Sequence, residues 1–177
     1  MEQNERNVSP MSNEGRNSYV IRQLTGAMLE LLRERPAGEI SVSELCDRAG
    51  VGRTSFYRNF ESKEDVIAKH LRALLSDWAA SLAGREELDL VEAIFEHYYF
   101  NSELYLCLIG HGLSHLCLDS IREVCGPKPE MDNMAAYTAA YFAYGLYGWV
   151  EEWFSRGMAE SPGEMSALWH RAQEVQK

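Results

Sequence analysis

Residues 40–64 read Ile40-Ser41-Val42-Ser43-Glu44-Leu45-Cys46-Asp47-Arg48-Ala49-Gly50-Val51-Gly52-Arg53-Thr54-Ser55-Phe56-Tyr57-Arg58-Asn59-Phe60-Glu61-Ser62-Lys63-Glu64. Ser41 is placed to cap a short helix, Val42 to about Ala49, with Glu44 at the third position of a capping box. Gly50 gives the turn its backbone freedom. A second short helix spans about Arg53 to Asn59. Ser62 then caps a long helix, and Asp65 answers from its third position. With the helix before them, the two short helices form a helix-turn-helix pattern around Ala49-Gly50-Val51. That geometry needs a small residue at the crossing, a glycine in the turn and apolar anchors, here including Leu45 and Phe56. Phe56 and Phe60 are four apart and face inward. At about 100° per residue, Thr54 and Arg58 then point outward, Ser55 and Tyr57 flank them, and Arg53 opens the helix.

Charge supports the same face. The chain of 177 residues carries a net charge of −10. Residues 1–80 hold 11 Lys/Arg against 12 Asp/Glu, whereas residues 81–177 hold 6 against 15. An acidic body disfavours non-specific adhesion to nucleic acid or to an anionic membrane. Yet residues 52–63 contain Arg53, Arg58 and Lys63 against Glu61 alone. Interleaved with Thr54, Ser55, Tyr57 and Asn59, that positive island suits a major-groove reader. Arg can grip guanine bidentately, Thr can touch a thymine methyl, and Tyr and Lys can hold phosphates. The plainer alternative is a solvated helix face, but the capped, turned and inward-pinned geometry favours DNA.

Working outward, Ile21, Leu24, Met28, Leu31 and Leu32 line one face of a helix from Ser18 to Arg35, which Pro36-Ala37-Gly38 stops. Downstream, helices are expected at about 63–83, 86–101, 103–118, 119–125, 131–157 and 162–175. Gly126-Pro127-Lys128-Pro129 is a break, and Ser161 caps a helix whose first residue is Pro162. Strand signals are nearly absent, so the predicted fold is all-α with about nine helices. Residues 1–17 read as a disordered tail, 18–64 as a DNA-binding head, 65–83 as a linking helix, and 84–177 as an effector-binding and dimerisation body.

Composition excludes several classes. Hydrophobic residues make up 46% and charged residues 25% of the chain, too apolar for a disordered protein. Leu104–Leu118 and Met134–Val150 lack charge but fall short of the roughly 20 residues that span a bilayer; both read as buried helices, and no membrane partner is expected. Four cysteines at irregular spacing, with no secretory leader, suggest reduced thiols in a cytoplasmic protein. No nucleophile–base pair, phosphate loop or metal-binding helix motif appears, so neither an enzyme nor a cofactor is expected.

The quoted stretch, with the helix before it from Tyr19, resembles the signature of the TetR/AcrR family of bacterial transcriptional regulators. Ala-Gly-Val followed by Phe-Tyr and Phe-x-Ser-Lys-Glu carries the likeness. The resemblance implies a three-helix DNA-binding head, a linking helix, and a variable helical body that binds a small effector and dimerises. By position Arg53, Thr54, Tyr57 and Arg58 would face bases, with Ser55 beside them, while Ser43, Tyr57, Asn59 and Lys63 would hold phosphates. Asn59 departs from the His common in the family. Gly52 departs from a Ser or Thr cap.

The resemblance extends, more loosely, to residues 131–177, which the family pairs with their copies in a four-helix bundle. Gly145 and Gly148 would allow close approach there, and Trp149 and Trp153 would form an apolar ridge. Two recognition helices then need a spacing of about 34–36 Å. Eight aromatics fall between Tyr137 and Phe154, which would suit a flat or apolar effector. Phe95, Tyr99, His111, Tyr141 and Tyr144 are the expected pocket lining. Cys107, His111 and His115 lie four apart and could form a soft-metal trio, but Gly110 and Gly112 weaken that helix, and no metal site is expected. The expected function is thus a homodimeric repressor of operator DNA released by a small-molecule effector. The alternative is a helix-turn-helix adaptor for protein partners that binds no effector.

Overall fold

A computed structural model describes residues 13–84 and 88–175. Among these residues there are nine α-helices and no strands, the all-α architecture expected. The chain divides into two compact units, Met1–Val66 and Ile67–Lys177.

The first unit holds α1 (Asn13–Glu34), α2 (Val42–Ala49), α3 (Arg53–Asn59) and the opening turn of α4 (Lys63–Ser81). α1 starts at Asn13, five residues before the expected Ser18; the rest of the expected tail lies outside the described residues. Leu24, Met28, Leu31 and Leu32 of α1 are fully buried with Leu45, Phe56 and Val66, so four of the five periodic apolar positions form the core; Ile21, expected on the same face, is 37% exposed. Ser41 Oγ accepts from Glu44 N–H at 3.2 Å. The Glu44 carboxylate does not complete the box; it pairs with Arg35. Gly50 ends α2 at φ 65°, ψ 30°, a left-handed cap that other residues adopt only at a cost. Ser62 Oγ caps α4 at Asp65 N–H, 3.1 Å away, while Asp65 reaches one residue further back to Glu61 N–H.

The second unit carries the rest of α4 with α5 (Leu90–Phe100), α6 (Ser102–Gly110), α7 (Ser114–Cys125), α8 (Asn133–Ser155) and α9 (Pro162–Val175). Its core is aromatic. Phe95 meets Trp153 edge-on at 5.3 Å, Tyr98 and Tyr105 lie 4.4 Å apart, and Phe154 stacks on Trp153. Trp153 Nε1 donates to Glu160 O at 3.1 Å, so the largest core side chain has its polar atom satisfied. Asp89 caps α5 through Val91 and Glu92 N–H and ties it to α9, accepting from Ser166 Oγ at 2.5 Å and from His170 Nε2 at 3.1 Å. Ser161 caps α9 as expected, and Glu164 completes a capping box by accepting from Ser161 N–H at 2.7 Å.

Several helix boundaries in the second unit differ from expectation, those of α6, α7 and α8 for local reasons. The expected single helix 103–118 breaks after Gly110, because Gly112 adopts φ +74° and Leu113 N–H bonds back to Leu108 O at 2.8 Å. The expected separate helix 119–125 is the end of α7. α8 opens at Asn133 rather than residue 131, since Asp132 Oδ1 caps Ala135 N–H at 2.8 Å. No helix among the described residues is long and apolar enough to cross a membrane. Nor is α8 wholly buried as expected: only the face of Ala143, Leu146, Val150, Trp153 and Phe154 is inside.

Candidate nucleic-acid interface

α3 is seven residues long, too short to persist alone, and its placement is set by tertiary contacts. Phe56 and Phe60 are 0% and 2% exposed, with ring centres 5.8 Å apart. They fix the helix rotation that the sequence predicted. Val51 N–H to Cys46 O (3.0 Å) and Gly50 N–H to Asp47 O (3.2 Å) close the turn before it. The angle of α2 on α1 has a polar guide as well. Arg48 grips Glu34 with two bonds, 2.9 and 3.2 Å, and lies 3.6 Å from Glu30. The Arg48 hydrogen bond holds the Glu34 carboxyl below its ordinary range. Glu30 and Glu34, four apart on α1, were the overlooked signal for this clamp.

Opposite the two phenylalanines, Arg53, Thr54, Tyr57 and Arg58 are all exposed, and Ser43 is exposed on α2. Tyr57 is 63% exposed, yet its ring edge rests on Phe56 at 5.2 Å, which limits where its hydroxyl can go. Neither Arg53 nor Arg58 makes an ion pair among the described residues. Both guanidiniums are therefore available to an outside anion or base edge. Ser55 is half-buried, and its carbonyl accepts from Asn59 Nδ2 at 2.8 Å. Asn59 thus spends one amide donor on its own helix, in a part-buried position less open than expected of a phosphate-holding side chain.

Lys63 corrects the sequence reading more firmly. Its side chain is 18% exposed, and Nζ donates to Ile40 O at 2.7 Å and to Ala37 O. Two of its three donors thus tie the start of α4 to the α1–α2 loop. Lys63→Met should destabilise the head by about 1–3 kcal/mol through lost charge-assisted bonds. The salt dependence of DNA binding should stay nearly unchanged, as thermal melts and anisotropy titrations at several salt concentrations would show.

The expected pocket residues do not converge. Phe95 is fully buried, Tyr99 is half exposed over Trp153, and His111 ends α6. Tyr141 and Tyr144 are 63% and 49% exposed on the outward face of α8, with Arg122 lying 5.4 Å over the Tyr144 ring. The interface guesses also split. Trp153 is 1% exposed and cannot form an outer ridge, whereas Trp149 is half-buried against Trp169 at 5.2 Å. A Cβ on Gly145 would meet the Trp169 ring at 3.6 Å, so this glycine faces α9; a Cβ on Gly148 would meet nothing within 4 Å. Cys107 lies on α6 and His115 on α7, with His111 in the turn between, so the supposed trio shares no helix. No group of three or more metal-ligating side chains occurs among the described residues.

Two family models match the chain. Residues 24–69 match the bacterial regulatory proteins of the tetR family, and residues 86–174 match a transcriptional regulator C-terminal region. A crystal structure of Lin0861 from Listeria innocua has the same fold, with a TM-score of 0.74 at 16% identity over 95% of this chain and 96% of that one. No curated protein matches. Family models that together span the helix-turn-helix head and the helical body place this chain in the tetR family of bacterial DNA-binding transcriptional regulators.

Proposed function

We propose that this protein is a cytoplasmic homodimeric repressor that reads operator DNA with α3 and is released by a small-molecule effector. The observation that carries the DNA reading is the division of α3 into two faces. One is sealed by Phe56 and Phe60; the other presents Arg53, Thr54, Tyr57 and Arg58 without an ion pair among the described residues. Arg53 and Arg58 are assigned to base edges, Thr54 to a thymine methyl, and Tyr57 and Ser43 to phosphates. Ser55 borders the same face.

Release requires an effector that prefers the non-binding arrangement. To shift occupancy from 99:1 to 1:99, its preference must reach about 5.5 kcal/mol. The body offers a void of about 10 Å³ lined by Leu75, Trp78, His97, Tyr98, Ile121 and Leu146, room for about one water. An effector entering there has to part these helices, and it meets only uncharged groups, which favours a neutral molecule.

Fluorescence anisotropy with DNA from upstream of the protein's own gene tests the reading. Arg58→Ala should cost about 1–3 kcal/mol and relax sequence choice at one operator position, because a bidentate base contact is lost. Equal affinity of parent and variant for a specific operator would remove Arg58 from the recognition face.

A further inference from the structure

Tyr98 stands within the aromatic core of the body with a hydroxyl that nothing satisfies. The residue is 1% exposed, and its Oη has no hydrogen-bond partner among the described residues. The Tyr105 hydroxyl interacts with it, the two rings being 4.4 Å apart, but falls short of hydrogen-bond geometry. Tyr105 is engaged instead with His97 Nε2 at 2.9 Å. A buried phenol without a partner forfeits the hydrogen bond that water gives it in the unfolded chain. Folded cores hold few such groups, and each calls for a reason. Burial pushes the Tyr98 pKa well above the ordinary tyrosine range, so the group stays a donor.

The same side chain forms part of the wall of the small void in the body. Trp78 reaches that wall from α4, His97 from α5, Ile121 from α7 and Leu146 from α8, and no charged side chain lines it. A trapped water does not account for Tyr98. There is room for one, but a buried water needs roughly two to four polar partners, and this wall offers it apolar surface alone. With the helices closed, Tyr98 thus turns its ring to the void and leaves its hydroxyl unpaired.

We infer that Tyr98 anchors the effector, and that the effector is an uncharged, planar, mostly apolar molecule whose carbonyl oxygen accepts the hydrogen bond Tyr98 lacks. This rests on the effector-released repressor proposed above and names the chemistry of its effector. A ligand shifts an equilibrium only by its differential affinity for the two states. Here that difference has a source: the closed body leaves a donor unpaired, and the opened, ligand-filled body pairs it. Trp78, His97 and Tyr98 supply aromatic faces for a ring, while Ile121 and Leu146 add aliphatic contact. Carboxylates and ammonium ions are rejected, because no charged side chain stands there to offset their desolvation. A phenol has one proton to give, and with Tyr105 engaged by His97 the missing group is an acceptor.

The test titrates the full chain with acetophenone, and with ethylbenzene, which has the same ring and nearly the same shape but no acceptor, by ligand-observed NMR. Tyr98→Phe should weaken acetophenone binding by about 10-fold, the worth of one buried hydrogen bond, and should not weaken ethylbenzene binding. The variant should also melt at or above the parental temperature, since it removes an unpaired hydroxyl and no bond. A lowered melting temperature, or failure to fold, shows that Tyr98 already has a partner and overturns the inference. So does equal acetophenone affinity in parent and variant, or no acetophenone binding to the parent. Operator anisotropy separates this from the reading it rests on. Acetophenone that releases DNA equally from parent and variant removes Tyr98 as the anchor and leaves the repressor standing. Acetophenone that binds through Tyr98 but leaves the operator complex intact keeps the ligand site and removes the release.

Discussion

Phe56→Ala should abolish specific DNA binding and unfold the head, with a loss on the order of 3–5 kcal/mol. Phe56 is fully buried and does three things at once: it fills the core beneath α1, fixes the rotation of α3, and supports the edge of the Tyr57 ring. Small units bury a modest fraction of their surface and have little stability to spare. A loss of this size therefore removes the recognition face rather than merely loosening it. The body keeps its own aromatic core, so a thermal melt should separate into two transitions, with the later one near its parental temperature. Operator affinity at the parental level in this variant would show that α3 is held by something other than its phenylalanines.

The second large effect is a pH response of the body. His97 is 5% exposed, and burial among Trp78, Tyr98 and Tyr105 pushes its pKa down to about 4 from 6.5. Its Nε2 lies 2.9 Å from the Tyr105 hydroxyl. A histidine with a depressed folded pKa stays neutral in the native state while the unfolded chain takes up the proton. Its contribution is therefore full above pH 6.5 and declines as pH falls towards 4, by about 1.4 kcal/mol per unit. Between pH 7 and 5 the protein should lose on the order of 2 kcal/mol through this group. His97→Phe should lower stability at neutral pH by removing the partner of the Tyr105 hydroxyl, but its stability should fall less steeply across this range. Denaturant unfolding at a series of pH values reads the slope directly; parallel profiles for parent and variant would remove His97 as the source.

The head was legible in the sequence to the level of single side chains, and the reason is range. Ser41 caps a helix three residues away, Gly50 turns the chain where it stands, and Phe56 with Phe60 states the rotation of α3 within one turn. The family signature lies in the same local stretch. Lys63 is the exception. Its ammonium bonds to carbonyls 23 and 26 residues earlier, and no local pattern reveals such a partner.

In the body, sequence order fixed the helices and little more. Periodicity gives the angle of a side chain about its helix axis, but not which angle meets a neighbour. Tyr141, Tyr144, Trp149 and Trp153 were alike as aromatics on one helix. Only the packed structure put Trp153 in the core, rested Trp149 on Trp169, and left the two tyrosines facing solvent. Gly145 and Gly148 were likewise equal in the sequence. Their difference is the Trp169 ring beside one and open space beside the other, a distinction made by a separate helix. The chain alone determined an all-α regulator with a pinned recognition helix, because those signals act over a few residues. Tertiary structure decided which body residues are core and which are surface, because burial depends on what arrives from elsewhere.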